Sequence, residues 1–232
     1  MDHFEAQGSN MALDVTTKDT TALGDAELAE MADVCAEAGI CHEIGPLSKQ
    51  AEEWVLVTLV REGNHLRGFS FSTLERIGGT PAVLIGLATV KRIARRDAVL
   101  RAIVADNFRR ALMAFPDEDV LMGTRLCDPS GFEAYKPTVD IVPRPGYKAT
   151  GEERAWGRRL AKRFGVESSN YHDKTFVVSG EGNLPYVLDH ESSKPEKTDP
   201  DVAALFEGFD PSKGDCLVAF GWIMAEDLLK YG

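Results

Sequence analysis

The chain has 232 residues, 44% hydrophobic and 27% charged, enough apolar mass for one domain to bury a core without disulfide or metal staples. Its 26 basic and 37 acidic residues leave a net charge of −11, which argues against binding nucleic acid or an anionic membrane by neutralising phosphates. No apolar run of about 18 residues could span a bilayer, no signal-peptide pattern opens the chain, and Cys35, Cys41, Cys127 and Cys216 lack CxxC spacing, so they read as reduced thiols of a cytoplasmic protein.

Residues 1–24 are polar and rich in Thr, Asp and Gly, and are expected to be a flexible N-terminus. The remainder, 25–232, reads as a single domain. A helix is expected over 25–38, with Asp25 as cap, Leu28, Met31, Ala32 and Cys35 on one face and Gly39 as stop. Three strands follow. Residues 54–61 are β-branched and apolar, Glu62-Gly63-Asn64 turns, and 66–77 alternate with Phe69 and Phe71 on one side. After Gly78-Gly79, the nearly continuous apolar run 81–90 reads as a central strand covered on both faces.

Leu100, Ile103, Val104, Asn107, Phe108, Ala111, Leu112 and Phe115 repeat at helical spacing, so 97–115 is a long amphipathic helix. Residues 119–127 form another strand, and Asp128-Pro129 begins a short helix. A linker at 137–149 holds Pro137, Pro143 and Pro145. A helix at 151–164 then carries Trp156, Leu160 and Phe164 on one stripe. Strands are expected at 174–179 and 215–223, with 189–201 as a polar loop between them. The order is that of an α+β, mixed-sheet protein.

The densest charge lies at 91–110, where Lys91, Arg92, Arg95, Arg96, Arg101, Arg109 and Arg110 face only Asp97 and Asp106, a local +5. Five of these cations sit between the end of a central strand and the first turns of a helix. Unpaired amides and the helix dipole favour anions at such a junction. A phosphate site and a solvated, salt-bridged helix start both fit the charges. Elsewhere the chemistry is sparse. His42, His65, His172 and His190 have no metal-ligand spacing, and there is no P-loop or nucleophile elbow.

Across 54–136 the element order resembles the GNAT N-acetyltransferase superfamily. The signature strand would be VLIGLATV (83–90), the cofactor turn KRIARRD (91–97), the long helix AVLRAIVADNFRRAL and the fifth strand DVLMGTRLC. In DPSGFEAYK (128–136), Asp128 and Tyr135 keep the seven-residue spacing of the family's Asn and Tyr. The glycine-bearing pyrophosphate loop is not reproduced. With Ala98 in its last position, Arg96 stands where the central glycine belongs and Ile93 where Gln or Arg belongs. Such a loop binds acyl-coenzyme A through guanidinium contacts, binds it weakly, or does not bind it.

The resemblance implies a GNAT-like fold: a mostly antiparallel sheet flanked by helices, with a parallel fourth and fifth strand. Residues 137–232 would complete the sheet and shape an acceptor site. It implies an N-acyltransferase taking acetyl-CoA or another acyl-CoA as co-substrate, with no metal, and acting on a small amine or amino-acid-like acceptor. Tyr135 would protonate the leaving thiolate and Glu75 would serve as base. Backbone amides of Leu87, Ala88, Thr89 and Val90 would hold the acyl carbonyl and pantetheine arm. Arg92, Arg95 and Arg96, with Asp97 and Ala98 at the helix start, would face the phosphates. A homodimer is left open. The alternative is a non-catalytic binding or regulatory module of the same fold. An enzyme should show the arginines lining an open cleft between diverging fourth and fifth strands, whereas a degenerate module should have that cleft plugged.

Overall fold

In the computed structural model, which describes residues 12–232, the chain enters the sheet earlier than its composition suggests. Leu13–Asp19 (β1) pairs antiparallel with Leu56–Glu62 (β2), from Leu13 opposite Glu62 to Asp19 opposite Leu56. The flexible reading of 1–24 is therefore corrected over 13–19, and 1–11 lie outside the described residues. The cause is long-range. Thr17 Oγ1 donates to Asp106 Oδ2 at 2.5 Å and lies 2.7 Å from Thr58 Oγ1, so a polar strand is fixed by partners far along the chain.

Asp25–Ala36 (α1) follows, buried through Leu28, Met31, Val34 and Cys35. A second helix, Ile44–Glu53 (α2), was not foreseen, because Leu47 and Gln50 are its only buried residues and its sequence lacks an apolar stripe. His65–Ile77 (β3) and Thr80–Val90 (β4) complete the expected meander, joined by Gly78 and Gly79, both at positive φ. Arg96–Ala114 (α3) crosses over to Val120–Leu126 (β5), whose seven residues are all buried. This β5 runs parallel to β4, from Ala82 opposite Leu121 to Ile85 opposite Thr124.

The expected short helix is a 3₁₀ helix, Pro129–Tyr135, started by Asp128 accepting from Ser130 N at 2.7 Å. Val139–Val142 (β6) and Gly151–Arg163 (α4) come next, the latter begun by a Thr150/Glu153 capping box. Tyr171–His172 (β7) and Val177–Val178 (β8) replace the single strand expected at 174–179. Leu188–Asp189 (β9) falls where a loop was expected to begin, and Cys216–Ile223 (β10) closes against β5. The sheet order is β1-β2-β3-β4-β9-β5-β10-β8-β7, with β6 also on β10. The mixed, mostly antiparallel sheet with a parallel β4/β5 pair is thus the one anticipated.

Candidate ligand cleft

One residue opens the sheet. Phe71 lies opposite Leu87 but Ser72 opposite Ile85, so Gly86 is the extra residue of a β-bulge in β4. A bulge bends its strand and raises the local twist. Past Ile85 and Thr124 the two parallel strands no longer pair with each other. Only glycine fits at the bend, because a Cβ there would lie 1.9 Å from Cε2 of Trp54.

The gap is filled by the chain itself. Residues of β9 pair with both diverging strands: Leu188 with Ala88 and Leu126, Asp189 with Thr89. The Ala88 amide donates to Val187 O at 3.1 Å. Asp189 is buried at the end of this wedge. Its Oδ1 takes Arg92 Nη2 at 2.5 Å, and its Oδ2 takes the amides of Gly39 at 3.0 Å and Ile40 at 2.8 Å. Arg92 also donates to Val90 O at 2.9 Å.

The following residues cover the start of α3. His190, fully buried, places Nε2 3.0 Å from Asp97 Oδ1, and Ser193 Oγ donates to Asp97 Oδ2 at 2.6 Å. Burial opposes the charge on Asp97, but the bonds from Ser193 and the facing His190 outweigh it and hold the carboxyl below the ordinary aspartate value. Burial lowers the proton affinity of His190 in turn. Three amides of the turn are bonded within it: Ile93 N on Lys91 O at 2.8 Å, Arg96 N on Ile93 O at 3.2 Å, Ala98 N on Arg95 O at 2.9 Å. Six of the seven cations at 91–110 are also ion-paired: Lys91 with Glu37, Arg92 with Asp189, Arg95 with Glu62, Arg101 with Glu133, and Arg109 and Arg110 with Asp106. The local +5 is therefore compensated.

The fold is of the GNAT type. That rests on the topology: an antiparallel meander, a bulged fourth strand, a helical crossover and a parallel fifth strand splayed from the fourth. No family model matches the chain, and no curated protein matches it. Similar solved structures include a ribosomal-protein-alanine N-acetyltransferase from Escherichia coli, at 8% identity and TM-score 0.48, covering 91% of this chain and 95% of that one. An acyl-CoA N-acyltransferase from Pseudomonas aeruginosa aligns at 17% identity and TM-score 0.41, covering 60% and 89%. An aminoglycoside N-acetyltransferase solved with coenzyme A aligns at 12% identity and TM-score 0.37, covering 68% and 89%.

Within this GNAT-type fold, the residues do not fit the acyl-CoA arrangement the resemblance implied. The edge of Leu87–Val90 meant for a pantetheine arm carries β9, with the Ala88 amide already bonded. Arg92 and Arg95 are bonded to carboxylates, and Arg96 has its Nε buried without a partner among the described residues. Tyr135 is fully buried and donates its hydroxyl to Ala219 O at 2.7 Å, while burial raises its pKa well above the ordinary phenol value. Its hydroxyl is thus engaged by the backbone of β10. Glu75 accepts from Arg163 Nε at 2.7 Å, tying β3 to α4. The structure thus gathers Leu87–Val90, Arg92 and Asp97 around β9, while Tyr135 is bonded to Ala219 O and Glu75 to Arg163.

Two participants were missed. Asp189 and His190 read from sequence as a surface pair in a loop, although the short run Tyr186-Val187-Leu188 before them is strand-like. Beside the covered helix start an open cavity of about 620 Å³ remains, lined among others by Arg95, Arg101, Lys136, Lys194 and Lys197.

Proposed function

We propose that this chain is a GNAT-fold binding module that does not turn over acyl-CoA. The single observation that carries this reading is β9, hydrogen-bonded into the splay of β4 and β5 where a pantetheine arm would have to lie. A strand held by two ladders and a buried ion pair competes with any extended ligand for the same amides. The glycine-free turn, with the amides of Ile93, Arg96 and Ala98 already paired, supports the reading from the phosphate side.

A second reading is favoured by the cation-lined cavity at the start of α3. If residues 187–193 vacate the splay, the chain is an acyl-CoA-dependent N-acyltransferase for a small amine or amino-acid-like acceptor. Calorimetry separates the two. Titrating coenzyme A and acetyl-coenzyme A into the purified protein at low and moderate salt should give no saturable heat up to millimolar concentrations. Micromolar, salt-sensitive binding that is lost in Arg95→Glu/Arg96→Glu overturns the non-catalytic reading and establishes the second.

A further inference from the structure

A second open cavity, of about 770 Å³, lies between three segments: 143–148 after β6, the β7–β8 hairpin, and 204–209 around the 3₁₀ turn Ala204–Phe206. None of its lining residues belongs to β4, β5, β9 or α3. Arg144, Lys148 and Lys174 line it together with a single carboxylate, Glu207. None of these three cations forms an ion pair with a described residue, although the chain has 37 acidic residues for 26 basic ones. The start of α3 shows the reverse, with its cations matched by carboxylates. Cations left without counter-charges around a concavity, in a chain with acid in excess, favour an anion there.

The site is held in place before any ligand arrives. Arg144 is half-buried; its Nη1 donates to Ile141 O at 3.0 Å, and its Cζ lies 3.5 Å from the centre of the Tyr147 ring. Tyr147 is fixed in turn, because its hydroxyl donates to Glu153 Oε2 at 3.0 Å, the oxygen that also takes the Thr150 amide at the start of α4. Glu153 is thus committed to the helix start and does not line the cavity. Lys174 stands in the hairpin turn closed by Phe176 N on His172 O at 2.7 Å, and His172 Nε2 lies 3.1 Å from Ser179 Oγ. Leu205 and Phe209, both half-buried, add apolar surface, with Phe209 packed edge-on against Phe206 at 5.3 Å.

We propose that this cavity binds a phosphate monoester with an apolar or aromatic body. The phosphate would lie on Arg144, Lys148 and Lys174, and the body against Leu205, Phe209 and the exposed Tyr147. Three cations less Glu207 leave +2, which matches a dianion better than a carboxylate. The planar guanidinium presents paired donors to phosphate oxygens, and a guanidinium already fixed loses little freedom on binding. The volume is that of a small-molecule site. The proposal does not depend on whether the chain binds acyl-CoA.

The test is calorimetry of the full chain with phenyl phosphate, inorganic phosphate and benzoate at constant ionic strength and about pH 8, where the monoester is a dianion. Saturable phenyl phosphate binding is expected, tighter than either other ligand. It should weaken about tenfold in Arg144→Gln, and by a similar factor in Lys148→Gln/Lys174→Gln. Lys194→Gln/Lys197→Gln, beside the start of α3, should leave the affinity unchanged. Absence of saturable phenyl phosphate binding overturns the proposal, as does inorganic phosphate or benzoate binding equally tightly. A loss confined to the Lys194/Lys197 variant overturns it too, because the phosphate then sits beside α3. Should Arg144→Gln fail to fold, the exposed lysine pair decides: full affinity in Lys148→Gln/Lys174→Gln overturns the site.

Discussion

Arg92 and Asp189 meet at 2.5 Å inside a β-sheet, with side chains 19% and 3% exposed, and the pair pins a two-residue strand between two longer ones. Removing one partner of such a pair leaves a buried charge uncompensated, at a cost of about 3 kcal/mol. The Gly39 and Ile40 amides still solvate Asp189, so the loss stays near that value. Arg92→Leu should therefore lower the unfolding free energy in urea by about 3 kcal/mol, with faster hydrogen exchange at Leu188. A stability change within about 0.5 kcal/mol would show that β9 is held by its ladders alone.

Tyr135 was the sequence's candidate acid, and its surroundings predict a different phenotype. The hydroxyl donates to Ala219 O at 2.7 Å with the ring wholly buried. Tyr135→Phe leaves that carbonyl without this donor, which costs about 1 to 2 kcal/mol. Thermal unfolding should register the loss directly. Any activity found for the protein should keep its turnover in this variant, and a selective fall in turnover with unchanged stability would restore Tyr135 to a chemical role.

Why some elements were legible and others not follows from the range of the forces that fix them. The β2–β4 meander, α3 and β5 carry their own periodicity and turn glycines, so each element expected across 54–127 is present, with ends within two residues of those read from sequence. The strand β1 and helix α2 do not, because Thr17 is stabilised by Asp106 and α2 by a single leucine and a buried glutamine. The site divides the same way. The basic junction at 91–97 was visible, but its neutralisation by Asp189 and Glu62 was not, since pairing across 97 and 33 residues leaves no local pattern.

Two histidines give the stability a pH dependence with a defined sign. Burial, reinforced by Arg92, outweighs Asp97 and holds the His190 imidazole below its ordinary 6.5. Burial of His42 likewise outweighs its bond to Pro185 O. The unfolded chain thus binds more protons than the folded one as pH falls through 6.5, so stability drops from there down to the folded values. Asp97, held low, adds its own loss only below its ordinary 3.8. The urea midpoint should fall between about pH 7.5 and about pH 5.5, and the fall should shrink in His190→Gln/His42→Gln. An identical fall in that double variant would assign the effect to other groups.

Gly86 decides whether the splay can exist, and its partner is Trp54. An added Cβ would sit 1.9 Å from Cε2 and 2.0 Å from Cζ2 of the indole, which is buried and held through Nε1 by Gln50. The ring cannot retreat without breaking that bond or losing its place beside Phe164. Overpacking of this kind costs about 3 kcal/mol, so Gly86→Ala should unfold at markedly lower urea. The cause is testable by a double-mutant cycle with Trp54→Leu, which removes the ring the new methyl would strike. The two changes should couple by about 1 to 3 kcal/mol in the compensating direction. Strict additivity would place the damage in the bulge itself, where alanine would disturb the bend of β4 and not its packing against α2.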